Sequence, residues 1–339
     1  MFEKYTQKLE LPKILEILEQ YCISTIGKSL TKELNPSNNI LEVKHLLSET
    51  TQARNLIDNL GNAPISDIQD FDKISIQLDS NVALSCQGLL VVARLLKTSR
   101  ALKNYFDAVE DKSKYDNIES YFQSLYTNLD LENKIFRSIL DENTISDDAS
   151  STLKSLRRKR RSLESQIKEN LNKYIHSSTY SKYIMEPIIT IRNDRYVIPV
   201  KIEYKDQIKG FIHDMSYSGS TVFIEPISIF ETNNEIHNLQ LEENIEIERI
   251  LKELSVSIFP IKSNLVTSFQ SIGNIDLIFA RAKFSFEYNC IEPAINEDKI
   301  ITLKQARHPL IDKKSVVPID IEIGKNYTAL IITGPNTGR

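Results

Sequence analysis

The chain has 339 residues, with 42 Lys and Arg against 46 Asp and Glu, a net charge of −4 and a pI near 5.9. That balance excludes a global pull towards nucleic acid or anionic membrane, so any such contact must come from a local patch. Hydrophobic residues make up 41%, enough for cores in two or three domains, and only 9 Gly argue against a β-rich chain. No apolar run has bilayer-spanning length, no charged-then-apolar leader opens the chain, and Cys22, Cys86 and Cys290 lack metal-ligand spacing. These features predict a cytoplasmic protein with reduced, buried thiols and no membrane partner.

Residues 1–149 read as short helices with clear punctuation. Pro12 falls in the first turn of a helix expected to bury Ile14, Leu15, Ile17 and Leu18. Asn39 with Glu42 forms a capping-box pair opening a helix to about Leu60, which Gly61-Asn62 ends. Leu89, Leu90, Val92, Leu95, Leu96 and Leu102 predict a strongly apolar helix over 85–106, and the polar stretches near Asp111 and Asp141 predict loops.

From 150 to 258 the pattern predicts a long helix out (150–178), a small antiparallel sheet (185–227) and a long helix back (228–258). Leu153, Leu156, Leu163, Ile167, Leu171 and Tyr174 form one apolar stripe. Leu241, Ile245, Ile247, Ile250, Leu251, Leu254 and Ile258 form its counterpart on the return helix. Between them the period becomes two. Arg195 to Tyr204 alternates and predicts a half-buried strand with Arg195, Lys201 and Glu203 on the polar face. Asn193-Asp194 predicts a hairpin turn; strands are expected near 188–191, 208–214 and 221–225, with a loop at Ser216–Gly219 and a stop at Pro226.

The run Arg157, Arg158, Lys159, Arg160 and Arg161 can serve as a phosphate stripe or can pair across the two arms. Folding the arms back symmetrically brings Arg160 opposite Asn244, beside Glu242, Glu243, Glu246 and Glu248, which favours pairing. A better binding surface is the sheet. Arg192, Arg195, Lys201, Lys205 and Lys209, with Ser216, Ser218 and Ser220 around Gly219, supply cations, hydroxyls and backbone N–H groups that hold phosphates without reading bases. The plainer alternative is a solvated sheet face. No catalytic set is visible: His45, His176, His213, His237 and His308 are scattered, and His213-Asp214 is expected to be structural because adjacent strand residues face opposite ways.

After the return arm a helix is expected over 272–288, broken by Pro293 and Asn296. β-prone runs follow at 300–303, 316–323 and 327–333. The last is nearly all apolar, as in a strand buried on both faces, and leads into Gly334, Pro335, Asn336, Thr337 and Gly338. A strand followed by such a loop is how a P-loop begins. The second Gly of that pattern would fall at Arg339, and the Lys and Ser/Thr that hold Mg·ATP do not occur. The expectation is therefore neither ATP hydrolysis nor tight ATP binding.

Four stretches carry a family resemblance: 191–201 (IRNDRYVIPVK), 212–226 (IHDMSYSGSTVFIEP), 306–310 (ARHPL) and 331–338 (IITGPNTG), with Gly27, Lys28 and Pro36 fitting too. In this order they resemble the N-terminal part of a bacterial MutS-two protein, the second subfamily of the mismatch-repair ATPase superfamily. The resemblance implies a mainly α fold. Residues 1–149 and 259–295 would form a helical core or lever, 150–258 a two-helix arm with a four-stranded clamp sheet, and 296–339 the start of an α/β P-loop ATPase domain. It implies an ATP- and Mg-dependent homodimer acting on duplex, branched or recombining DNA, or on collided ribosomes and their ribosomal RNA. Nuclease activity would lie in a part not present. Phe223-Ile224-Glu225 spells the mismatch-reading F-x-E, but inside a clamp strand this is a coincidence of letters. By the same analogy His308-Pro309 approaches the nucleotide and Val316 or Val317 lines an adenine pocket. The competing expectation is a protein-interaction or dimerisation scaffold that does not touch nucleic acid.

Overall fold

A computed structural model describes the chain from Phe2 to Gly334. It is mainly helical, with one four-stranded antiparallel sheet and a separate two-stranded one. The chain divides into two compact units.

The first unit comprises residues 1–75, 91–132 and 261–339. Its helices are α1 (Phe2–Lys8), α2 (Leu11–Glu19), α3 (Thr25–Lys32), α4 (Ile40–Leu60), most of α5 (Phe71–Asp79) and of α6 (Cys86–Asp107), α7 (Asp116–Gln123), the start of α8 (Leu129–Ser138) and, later in the chain, a long helix over Lys262–Glu287. That last helix begins ten residues before the sequence pattern suggested. It is buried nearly all round, through Leu265, Phe269, Ile272, Ile275, Ile278 and Phe279 among others, which makes it the axis of the unit. Gly27 and Gly273 let α3 lie close against it: a Cβ at Gly27 would stand 2.4 Å from Asp276 Oδ2, and one at Gly273 2.7 Å from Ile26. Asp276 is fully buried and accepts from the N–H groups of Ile23 (3.0 Å) and Ser24 (2.7 Å) and from the Ser24 hydroxyl (2.6 Å). Ser24 in turn caps α3 by accepting from Gly27 N–H.

Helix α4 starts and stops where expected. Asn39 accepts from Leu41 and Glu42 N–H, and Gly61 closes the helix at φ 78°. The reciprocal half of the capping box is absent. Ser37 stands between the partners, its hydroxyl accepting from Asn39 N–H and donating to Glu42. The six apolar residues predicted for α6 are all buried, but in α2 Leu18 is buried and its three apolar neighbours only partly so.

The second unit comprises residues 76–90 and 133–260. It contains the arms, α9 (Ser151–Ile175) and α10 (Ile227–Ile258), and between them the strands β1 (Thr190–Arg192), β2 (Arg195–Lys201), β3 (Gly210–Met215) and β4 (Thr221–Pro226), in the order β1-β2-β4-β3. The helix over Lys262–Glu287 is thus α11. Ser150 caps α9 by accepting from Leu153 N–H, and donates to Glu246 Oε1 at 2.6 Å, tying the start of one arm to the other. The arm seam differs from the apolar pattern. Leu241 and Ile245 are exposed, and Glu243 and Glu246 occupy the buried positions. The arginines explain this: Glu243 meets Arg157 at 3.5 Å and Arg160 at 2.7 Å, and Lys159 meets Glu235 at 2.7 Å. Arg161 turns instead to Asp147, as Arg157 also does. The run is therefore largely used in setting the register of the arms.

Glu246 yields a pH prediction. Hydrogen bonds from Arg249 and Ser150 hold its carboxyl down at about 2 against burial, which opposes ionisation. A depressed carboxylate contributes its stability above the ordinary value near 4.5 and loses it as pH falls through about 2. Glu246→Gln should lower the unfolding midpoint of the second unit at pH 7. The gap from the wild type should close progressively between pH 4.5 and 2, as followed by denaturant titration at each pH.

In the first unit, β5 (Ile301–Ala306) pairs with β6 (Ile319–Ile323). The expected buried strand over 327–333 does not form; Ile331 and Ile332 are 84% and 83% exposed. A strand buried on both faces needs neighbours on each edge and cover on each face. Among the described residues nothing supplies them.

Candidate nucleic-acid interface on the four-stranded sheet

The sheet forms where the sequence placed it. Asn193 and Asp194 both adopt positive φ, 49° and 60°, as a tight two-residue hairpin between β1 and β2 requires. Pairing of Ile198 with Ile224 and Val200 with Val222 puts these side chains and Tyr196 on one face. That face packs on Ile167, Leu171 and Ile175 of α9 and on Ile229 and Ile236 of α10.

Two expectations about β2 need correction. It is not half-buried: every residue from Tyr196 to Val200 is buried. The second face is covered in part by Phe223, whose ring carries the Arg192 guanidinium at 4.2 Å. Nor does the strand reach Tyr204. Its partner β4 begins at Thr221, opposite Lys201, so beyond that point no ladder exists. Ile202 N–H goes to Ser220 O, and 202–207 coils into 3-10 turns.

Arg195 is committed to the fold. Glu225, 0% exposed, accepts from Arg195 Nη1 at 2.9 and 3.1 Å, from Asn233 Nδ2 at 2.7 Å, and lies 2.5 Å from His213 Nε2. Arg195 Nη2 also donates to Asn234 Oδ1. Asn233 completes the cluster by a local substitution. Where β4 leaves β2, its side-chain amide both donates to Tyr196 O and accepts from Tyr196 N–H, each at 3.1 Å, so it stands in for a strand. The sequence reading missed Asn233. Its signal was a polar residue at a seam position of α10, between Ile229 and Ile236.

The remaining cations are distributed as follows. Arg192 is 39% exposed and pairs with Asp214 at 3.2 Å. Lys201 is partly exposed and its Nζ donates to Lys182 O. Lys205 and Lys209 are exposed and, among the described residues, have no acidic partner. The loop Ser216–Ser220 lies at the Lys201 end of the sheet. Gly219 adopts φ 69°, its N–H donates to Ser216 O, Ser216 Oγ accepts from Thr221 N–H, and the Ser218 and Ser220 hydroxyls are 2.8 Å apart. The structure therefore brings Ser216, Ser218 and Gly219 together at the end of the sheet where Lys201 lies, with the Lys201 ammonium turned to Lys182 O. Lys205 lies in the connection to β3, while Lys209 and Arg195 belong to the other end, where Gly210 faces Pro226. Between Lys182 and Glu225 six Lys and Arg are matched by six Asp and Glu, so binding here would depend on placement and not on net charge.

The nucleotide-related residues are in the first unit. Gly334 is exposed with φ 144°, and Pro335, Asn336, Thr337 and Gly338 lie outside the described residues. His308, Pro309 and Val316 line a cavity of about 380 Å³ with Phe284, Tyr288 and Cys290; Val317 is exposed and is not among its lining residues. Phe284 and Tyr288 stack at 4.5 Å. Among the described residues no group of three His, Cys, Asp or Glu is arranged to hold a metal, and no helix is long and apolar enough to cross a membrane.

No family model matches the chain. Curated relatives do. It is 42% identical over all 339 residues to a protein of Acetivibrio thermocellus named Endonuclease MutS2, 39% to one of that name from Clostridioides difficile, and 41% over 338 residues to one from Ruminiclostridium cellulolyticum. Each alignment takes in the whole chain but 43% of the relative's length. Over its whole length the chain is similar to proteins of the MutS2 family.

Proposed function

We propose that this chain is the core and clamp portion of an ATP-dependent nucleic-acid-binding MutS2 protein, and that the four-stranded sheet grips duplex phosphates without reading sequence. The observation that carries this reading is the contrast between the two cationic regions. Arg157, Lys159, Arg160 and Arg161 are neutralised by acids on the neighbouring helix and turn. The sheet's Lys205 and Lys209 stay open to solvent, and the Ser216–Ser220 loop presents hydroxyls and backbone N–H groups at one end of the same sheet. Point cations with small polar groups suit phosphate oxygens, whose contacts position a protein on a duplex. The relatives are named endonucleases, and a nucleic-acid substrate follows from that name.

ATP dependence belongs to the same proposal. His308, Pro309 and Val316, which the family resemblance sets near the nucleotide, together line the 380 Å³ cavity. Bound ATP with Mg would supply the phosphoryl chemistry of the whole protein, and in this chain those side chains would hold the base. Action on branched DNA or on collided ribosomes, and homodimer formation, are expectations for the whole protein.

Replacing Lys201, Lys205 and Lys209 together by Glu tests the grip. The expected outcome is loss of duplex binding by at least tenfold with an unchanged circular dichroism spectrum. A scaffold reading draws on the exposed Phe211, Ile212 and Met215 along β3. It predicts that the triple variant binds duplex as the wild type does.

A further inference from the structure

The tyrosines around the sheet follow one rule with one exception. Tyr174, Tyr180, Tyr183 and Tyr204 form a chain of ring contacts with centroids 5.0 to 6.5 Å apart, and Tyr196 is buried with Lys168 over its ring. Tyr217 is fully exposed and, among the described residues, touches no other ring. It sits in the turn between β3 and β4, flanked by Ser216, Ser218, Gly219 and Ser220. The turn itself is anchored: Ser216 is bonded through both its N–H and its hydroxyl to Thr221, and Gly219 N–H returns to Ser216 O. A fixed loop thus holds out an unpartnered aromatic ring.

We infer that Tyr217 stacks on an unpaired or unstacked nucleobase while the hydroxyls and backbone N–H groups of the serine loop hold the adjoining phosphate. The inference rests on the phosphate-grip reading and adds the ligand's base to it. Every base has a π face, so a ring in this position needs no sequence-specific hydrogen bonds. The polar, small-residue surround argues for this partner over a protein. A protein-docking aromatic is normally set among apolar neighbours that exclude water around it, whereas Tyr217 stands between Ser216 and Ser218, with Met215 the one exposed apolar residue next to the turn in sequence. Lys201 pairs in register with Thr221, so its backbone adjoins the same turn, while its ammonium donates to Lys182 O.

The test compares the affinity of the full chain for a fully paired duplex with that for the same duplex carrying one unpaired base. The wild type should prefer the unpaired base. Tyr217→Ala should reduce that preference about tenfold and Tyr217→Phe should keep it, with affinity for the paired duplex unchanged in both. Because stacking is not ionic, the loss should be the same at low and moderate salt. If the wild type binds paired duplex yet Tyr217→Ala leaves the ratio unaltered, the stacking role is overturned and the phosphate grip stands. If the wild type binds neither duplex, both fail. Loss of self-association in Tyr217→Ala, with the ratio intact, would instead make the ring a protein contact and overturn the inference.

Discussion

Glu225→Ala should destabilise the second unit by about 3–5 kcal/mol, because it removes the fully buried acceptor shared by Arg195, His213 and Asn233. Breaking one side of a buried charge cluster leaves the other side uncompensated, and that costs more than the pair ever contributed. For a unit of this size the midpoint should fall by roughly 10 °C. The damage should be local first: amides of β2, β4 and the start of α10 should lose exchange protection before those of the distal arms. Adding Arg195→Met to Glu225→Leu should recover part of the loss, since a buried pair can be exchanged for apolar volume at small cost. A Glu225→Ala variant within about 0.5 kcal/mol of the wild type in urea titration would show that the cluster does not hold the sheet to α10.

Asp276→Ala should have a comparable effect on the first unit, about 3–5 kcal/mol. Its carboxylate takes three donors at the start of α3, and α3 packs on α11 at Gly27 and Gly273 with no room for a replacement side chain. Alanine leaves the Ile23 and Ser24 N–H groups and the Ser24 hydroxyl unpaired. Asp276→Asn should fall between wild type and Ala, because it keeps one acceptor but turns a donor towards donors. Hydrogen exchange distinguishes this variant from the previous one. Protection should drop over α3 and α11 and persist in the sheet; an unchanged midpoint for Asp276→Ala would show that its bonds to Ile23 and Ser24 do not hold α3 to α11.

Much of the fold was legible because its signals are local or periodic. The caps at Asn39 and Gly61, the apolar run of α6 and the Asn193-Asp194 turn each state a backbone requirement that few other residues meet. The arm register was legible from complementary charge: symmetric folding predicted Arg160 near residue 244, and it meets Glu243. What failed has a common cause. Periodicity names the apolar stripe but not the partner, so it put Leu241 and Ile245 in a seam that arginine partners gave to Glu243 and Glu246. A strand pattern cannot say where its neighbour ends, so Ile202 to Tyr204 were read as strand although no ladder continues past Thr221. The apolar run 327–333 has strand chemistry, yet its cover is not among the described residues. At the candidate site the residue types were visible, but their commitments were not. Arg195 and Lys209 read alike in sequence; the first is locked to Glu225 and the second is open to solvent. Asn233 and Asp276 were missed because a polar residue on an apolar helix face announces a bond without naming its partner.

The most direct test of the phosphate grip is the salt dependence of duplex affinity. Each phosphate neutralised should contribute about 0.9 to the slope of log affinity against log salt. The account predicts a clear negative slope for the wild type. With Lys201, Lys205 and Lys209 all changed to Gln, the slope should be smaller by about three and equally so for unrelated sequences. A wild-type affinity that stays flat from low to moderate salt, or a slope that the three substitutions leave unchanged, would contradict it.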